Sequence, residues 1–338
     1  MSPTKLMSQN KAMFSETQAN LDIDQLHINY ALANVSVAYT NAAFVAEQVA
    51  PVIPTNHRSN KYYVYGKERF RRRADDHAPG SKPDEIGWSL SSQPYYCEGH
   101  ALRGWYPWEA STNADPAIDM DIDTTETVTD SVLLAQEMNL RDTLVASLPL
   151  TDLSANSGQY QLDNANNDPI AYFDVQKENV AKAIGRQPNA ILFGRPAWRG
   201  FRNNPNVLKH IYGTTVLAPD KLITPEMAAE KLEIPEVIVA EAMYDTSNEG
   251  EAPSLDYIWS DYVLLFYKSP SPGKRQVNLV ATFLWSVGVQ GRIVEKWYDQ
   301  DAKRYVIDCM KFYDQNIQSS GAGVMYHHTL ANPNGDNA

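Results

Sequence analysis

Several clusters in this sequence hold residue types that do chemistry elsewhere, and each lacks something its chemistry needs. Asp119, Asp121 and Asp123 alternate like the opening of a calcium loop, in which oxygens at every second position converge on one cation. The sixth position of that loop, where a sharp turn needs glycine, is Thr124, and the twelfth, where a bidentate glutamate closes the shell, is Asp130. These carboxylates are read instead as negative charge at the positive end of a helix. His327 and His328 are two imidazoles, but adjacent residues project differently, and no Cys, Glu or third His stands nearby at zinc-site spacing. They read as a surface or interface pair. Cys97 lies near His100 in a strand-like segment, yet a nucleophile–base dyad also needs a pocket and an oxyanion donor, so the thiol is read as structural and half-buried.

No G-x-S-x-G elbow, P-loop or dinucleotide G-x-G-x-x-G is present, and Gly321-Ala-Gly323 is too short to cradle phosphates. The sequence predicts no enzyme, no cofactor and no metal. A hydrolase whose site is invisible in sequence stands as the alternative from a different class.

A further cluster is electrostatic. Lys67, Arg69, Arg71, Arg72 and Arg73 stand among Tyr62, Tyr63 and Tyr65, a composition that can grip single-stranded nucleic acid by charge and stacking. Two aspartates, Asp75 and Asp76, follow closely, and the formal net charge is -12 from 41 acidic and 29 basic residues, which opposes a phosphate-gripping role. The basic run is therefore expected to contact another subunit. Its counterpart is the acidic stretch holding Asp119, Asp121, Asp123 and Glu126, and complementary patches of this kind steer self-association.

The elements that must position these groups form an α+β pattern. Asn56 to Trp108 reads as a long aromatic β-hairpin, with legs from Ser59 to Phe70 and from Trp88 to Leu102 and a Pro/Gly-rich tip between them. A two-stranded ribbon is marginal alone in water; this one has little core of its own to pack on and is expected to lie against a neighbour. Asn113-Ala-Asp-Pro116 is expected to open a helix running to about Leu148, roughly 45 Å long at 1.5 Å per residue. A second helix is expected with Asp174 as its cap and Gly185 as its stop, followed by a buried strand from Pro188 to Gly194 and a helix opened by Pro196. Thr224 and Pro225 start a helix in a second lobe, and Glu236–Glu241, Tyr257–Tyr267 and Val277–Trp285 supply strands. Two more strands are expected within 292–310. Two cysteines cannot form a disulfide framework, no apolar run is long enough to span a membrane, and the first residues lack the apolar core of a secretory signal, which together predict synthesis in a reducing cytoplasm.

In order and wording these segments resemble the major capsid proteins of tailed bacteriophages, built on the Hong-Kong-97-like shell fold. Phe44 to Pro54 resembles that family's passage from N-terminal arm to extended loop, and Lys61-Tyr-Tyr-Val-Tyr65 with Ala78-Pro-Gly80 resembles the loop. Asn113 to Glu126 resembles the entry to its spine helix, Pro188 to Trp198 a strand–turn–helix of its peripheral domain, and Glu236–Glu241, Asp261–Tyr267 and Ala281–Trp285 its axial domain. The resemblance implies an arm at 1–54, an extended loop at 55–108, a peripheral domain with the spine helix at 109–218, an axial domain at 219–285, returning strands at 286–330 and a flexible tail at 331–338.

It also implies hexamers and pentamers of an icosahedral shell, first a procapsid and then expanded around double-stranded DNA that is bound without sequence specificity. The implied partners are the chain itself, a separate scaffolding protein, a portal and a decoration protein, with no membrane; the implied location is the virion capsid, assembled in the host bacterial cytoplasm. An encapsulin-like cellular compartment shell is the nearby alternative. Some members of the family cross-link a loop lysine to a neighbour's asparagine, and Lys61, Lys67 and Lys82 are the loop lysines here, but no acceptor or catalytic carboxylate matches, so no autocatalytic cross-link is expected.

Overall fold

The computed structural model describes residues 44–65, 89–113, 119–213, 222–248, 250–289 and 291–331, together with 70–72, 75, 76, 82, 85 and 87. The expected terminal arm before Phe44 and the tail after Ala331 lie outside the described residues.

Local rules account for most elements. The described chain opens with a single-turn helix, α1 (Ala46–Val49), and strand β1 (Val52–Thr55). The hairpin legs are β2 (Ser59–Tyr65) and β3 (Leu90–Tyr96), antiparallel with Ser59 opposite Tyr96. Next come β4 (Glu98–Pro107), a short helix α2 (Trp108–Asn113) and the long helix α3 (Met120–Ser147). The long helix starts later than expected: Asp119 is its cap, accepting from the N–H groups of Asp121 and Ile122 at 3.0 and 3.3 Å. It ends because Pro149 holds Leu148 in extended backbone, with φ -98° and ψ 148°.

Strand β5 (Leu150–Asp152) and one turn, α4 (Ala155–Gly158), lead to α5 (Pro169–Ile184). Its cap is Asp168 rather than Asp174, because Pro169 takes the first helical position and leaves Asp174 inside the helix, paired with Lys177 at 2.8 Å. Gly185 closes the helix in the left-handed region at φ 72°. Then follow β6 (Ala190–Gly194), α6 (Arg195–Asn203), α7 (Pro205–Tyr212), α8 (Pro225–Leu232, capped by Thr224) and β7 (Glu236–Ala240). The chain ends through β8 (Met243–Asp245), β9 (Leu255–Tyr257), β10 (Val263–Phe266), β11 (Val280–Trp285), β12 (Arg292–Asp299), β13 (Arg304–Ile317) and β14 (Gly323–His327).

Two five-stranded sheets organise the molecule. In the first, β13 is flanked on one edge by β4 and on the other by β12 and then β11, with β1 running parallel to β11. Helix α3 lies across this sheet and buries Val128 and Val132 against Tyr106, Val294, Ile307 and Cys309. The second sheet has the order β5-β14-β10-β6-β7, and every residue of β6 and β10 is buried, as expected of strands covered on both faces. It joins β6 to β7 and β10 across the boundary expected at 218, so Pro188 to Trp198 belongs with the second lobe. Strand β11, expected there, pairs with β1 and β13 in the first sheet. Local patterning identifies a strand but not its partners.

Two adjacent residues in the middle of α3 hold the parts together. Glu137 is 0% exposed. Its Oε2 accepts from the N–H groups of Val45 and Ala46 at 3.1 and 2.6 Å, supplying the cap that α1 lacks, and its Oε1 accepts from Trp259 Nε1 at 2.5 Å. Burial pushes its pKa above the usual carboxylate range, although all three partners donate. Gln136 accepts from Lys311 Nζ at 2.7 Å, and the same ammonium reaches Glu47 at 2.8 Å. Lys311 occupies an inward position of β13, in line with Ile307, Cys309 and Tyr313, and is 2% exposed. Burial lowers its pKa, with Glu47 opposing. Burial also works against the charged form of Glu47, but the Lys311 ammonium outweighs it and holds Glu47 below its ordinary value.

Glu137→Ala strands three buried donors and is expected to cost about 3 kcal/mol or more in a urea melt, whereas Glu126→Ala leaves the midpoint unchanged. The Glu47 contribution has the sign of a depressed carboxylate: fully present above the unfolded glutamate value of about 4.3, and lost as the pH falls through the lower folded value. Urea melts should therefore separate Glu47→Gln from the parent chain at pH 7, with the two curves converging below about pH 4. A gap independent of pH would remove the ion pair from the account.

Candidate functional site

The hairpin is held at its base by its own chain, and the described residues of its tip are exposed. Tyr62 and Tyr95, opposing strands' inward residues, stack on Phe283 of β11 with ring centroids 5.3 and 4.5 Å away and interplanar angles of 25° and 4°. Tyr62 is 2% exposed, and its hydroxyl meets Gln93 Oε1 at 2.7 Å and the Ile317 carbonyl at 3.3 Å. The Lys274 ammonium donates to the Tyr95 hydroxyl at 2.9 Å, and the Tyr63 N–H donates to the Lys274 carbonyl at 3.1 Å. Arg58 locks the junction: it bonds the Cys97 carbonyl at 3.0 Å and lies over Tyr96 and Phe312. The hairpin therefore has a core of its own at its base, contrary to expectation.

Period-two alternation turns the next residues outward. Tyr63 and Tyr96 are exposed, with Arg275 over the Tyr63 ring at 5.7 Å. Toward the tip, Arg71 and Arg72 are exposed, as are Asp75 and Asp76. Lys82 pairs with Glu85 at 2.8 Å in full solvent, a contact of little energetic weight. The Phe70 ring rests on Gly185, where a Cβ would lie 2.6 Å from its Cζ. Lys67, Arg69, Arg73 and the side chain of Tyr65 lie outside the described residues.

The acidic group is split by the same logic. Asp119 is spent on its helix end, and Asp121 turns into the chain, where it takes the Tyr106 hydroxyl and the Lys296 ammonium, the latter at 2.6 Å. Burial and Asp121 push the Tyr106 phenol pKa well up. Asp123 is exposed and Glu126 half-buried. Tyr62 and Asp121 are thus internal residues, while Tyr63, Arg71, Arg72, Asp123 and Glu126 remain reachable from outside. The carboxylates diverge, as the helix-end reading expects.

Sequence reasoning missed a second outward surface. On the face of the first sheet turned away from α3, Trp105 of β4 and Trp297 of β12 flank Val306 of β13. Trp105 is 56% exposed and Trp297 38%. Arg304 covers the Trp105 ring at 5.1 Å, and Arg103 lies 4.8 Å over Trp297 while making two bonds to Asp308, at 2.7 and 2.9 Å. Tyr298, the next residue of β12, points to the other face and packs on Tyr305. The alternation Leu102, Gly104, Tyr106 toward the helix and Arg103, Trp105 away from it was the available signal. Cys97, in contrast, is buried with its pKa raised by burial, its thiol donating to the Phe283 carbonyl at 3.4 Å, while His100 stacks on Tyr313 at 4.1 Å. They form no dyad.

This sequence matches no protein-family profile. Two curated relatives are major capsid proteins. That of Burkholderia phage BcepMu is 23% identical over 304 residues, covering 88% of this chain and 95% of the relative; that of Pseudomonas phage JBD67 is 23% identical over 270 residues, covering 79% and 86%. Among solved structures, a phage-related protein from Bordetella bronchiseptica superposes with a TM-score of 0.70 at 22% identity, over 90% of this chain and 98% of that one. The capsid of Cyanophage P-SCSP1u gives a TM-score of 0.55 at 10% identity, over 86% and 89%. The chain is a relative of phage major capsid proteins, with the Hong-Kong-97-like fold.

A surface of exposed aromatic and charged residues, rather than a pocket with a nucleophile, has the make-up of a contact between proteins. The hairpin base then has to be rigid for its tip to be placed. Phe283→Leu keeps most of the apolar volume but loses both ring stacks, at an expected cost of about 2 kcal/mol. Hydrogen exchange of the β2 and β3 amides should accelerate in that variant. Unchanged exchange there would mean that the stacks do not hold the hairpin.

Proposed function

We propose that this chain is the principal shell subunit of a tailed bacteriophage, closing into hexamers and pentamers of an icosahedral capsid around double-stranded DNA. The observation that carries the reading is the likeness to two phage major capsid proteins along nearly their whole lengths. The exposed hairpin tip, the outward tryptophans and the acidic residues of the helix entry are the surfaces it would use on its neighbours. The lobe around the first sheet and α3 serves as the peripheral domain and the lobe around the second sheet as the axial domain, with the hairpin as the extended loop. A separate scaffolding protein, a portal and a decoration protein are the further partners, and the net charge of -12 suits DNA that is enclosed rather than gripped. Assembly takes place in the host bacterial cytoplasm, and the chain acts without catalysis.

A cellular cargo shell is the second reading. A virus-like particle from Pyrococcus furiosus shares the fold with a TM-score of 0.52 at 9% identity, a likeness of fold alone.

The expressed chain, alone or with its scaffold, should elute as rings or shells by size-exclusion light scattering and show hollow uniform particles in negative stain. A strictly compact monomer under both conditions contradicts the proposal. Arg71→Glu with Arg72→Glu should cut shell yield while changing monomer stability by no more than about 0.5 kcal/mol; undiminished yield would remove the tip from the interface.

A further inference from the structure

The C-terminal histidine pair has a third member that sequence spacing could not show. Parallel pairing of β5 with β14 sets Asp152 opposite His327. The next residue, His328, takes a left-handed backbone at φ 50°, a conformation that a side chain other than glycine seldom adopts. Along a regular strand, neighbours point to opposite faces; this reversal ends the alternation and brings the two imidazoles to a centroid distance of 4.3 Å, inclined at 50°. One donor atom from each of Asp152, His327 and His328 lies within 4.8 Å of the others.

The surrounding bonds hold all three backbones. The His327 carbonyl accepts from the Leu153 N–H at 3.1 Å, and the His328 carbonyl accepts from Gln161 Nε2 at 3.3 Å. The Asp152 carboxylate is oriented through Oδ1, which accepts from the Ser154 N–H at 2.8 Å and its hydroxyl at 2.7 Å and stands 3.3 Å from His328 Nδ1. Outer bonds that aim a carboxylate in this way are what ligands of metal sites require.

We propose that Asp152, His327 and His328 form a binding site for a divalent transition-metal ion of the zinc, cobalt or nickel type. Two imidazole nitrogens and a carboxylate are a borderline donor set suited to those ions, whereas calcium and magnesium select all-oxygen shells. Metal–ligand bonds of about 2.0–2.1 Å place tetrahedral donors roughly 3.3 Å apart, so closing the present spread takes side-chain rotation with the backbone left in place. The site is exposed, which keeps a coordination position open to water. Its consequence is local: the ion fastens the three-residue edge strand β5 to the end of β14.

The test is calorimetric titration of the full chain, free of any affinity tag, with zinc chloride, and visible spectroscopy with cobalt chloride. One ion per chain and cobalt d–d bands of low-symmetry nitrogen–oxygen coordination are expected, with His327→Gln and His328→Asn each weakening binding by at least about tenfold. Asparagine tolerates the left-handed backbone at 328, and urea melts without metal check that both variants are folded. No saturable binding up to about 1 mM zinc, or equal binding by the folded double variant, overturns the proposal and leaves a carboxylate–imidazole contact beside a tilted ring.

Discussion

One buried carboxylate fixes how the parts of this molecule sit together. Removing a charged group from water is so costly that it survives only with full compensation, and for Glu137 the compensation comes from two places far apart in sequence. The N–H groups of Val45 and Ala46 bring in the start of the described chain, and the indole of Trp259 brings in the second lobe. Each partner needs the others: α1 has no side-chain cap of its own, and the carboxylate is shut off from solvent. Gln136, one residue earlier, turns toward the sheet and shares Lys311 with Glu47 of the same short helix. The middle of the long helix is therefore polar where an ordinary amphipathic helix would be apolar, and it joins helix, sheet and second lobe.

The hairpin obeys the same division between commitment and availability. Tyr62 and Tyr95 are drawn in by Phe283, and with Arg58 and Lys274 they set the direction in which the ribbon leaves the body. Beyond that base the described outward residues are aromatic and charged, and exposed. The sheet face of Trp105 and Trp297 has this character too, its rings shielded on one side by Arg304 and Arg103. Large aromatic and arginine residues left accessible in this way are the composition of contact cores between proteins.

What could be read from the chain was local. Helix starts at Pro196 and Thr224-Pro225, the glycine stop at 185, the carboxylates at the head of the spine and the strand at Pro188–Gly194 all rest on rules that act over a few residues. The resemblance supplied the shell fold as a whole. What escaped was long-range. Glu137 lies in helical step with Leu133, Leu140 and Leu144, yet a charged residue on an apolar stripe reads as a break in the stripe rather than as a buried hub. Lys311 is similarly in step with the inward residues of β13. The pairing of β11 with β1, and the meeting of Asp152 with His327, join strands more than a hundred residues apart, for which no local periodicity exists. Asp174 was a plausible cap in isolation and lost to Asp168, which Pro169 makes the natural first boundary.

The most direct test is a cryo-electron reconstruction of assembled particles at side-chain resolution. The account predicts an icosahedral shell in which Tyr62, Tyr95 and Glu137 keep their partners within one subunit, while Arg71, Arg72, Trp105 and Trp297 are covered by neighbouring subunits. Particles in which those outward residues face solvent, or a Glu137 that has exchanged its partners for another subunit's, would contradict it.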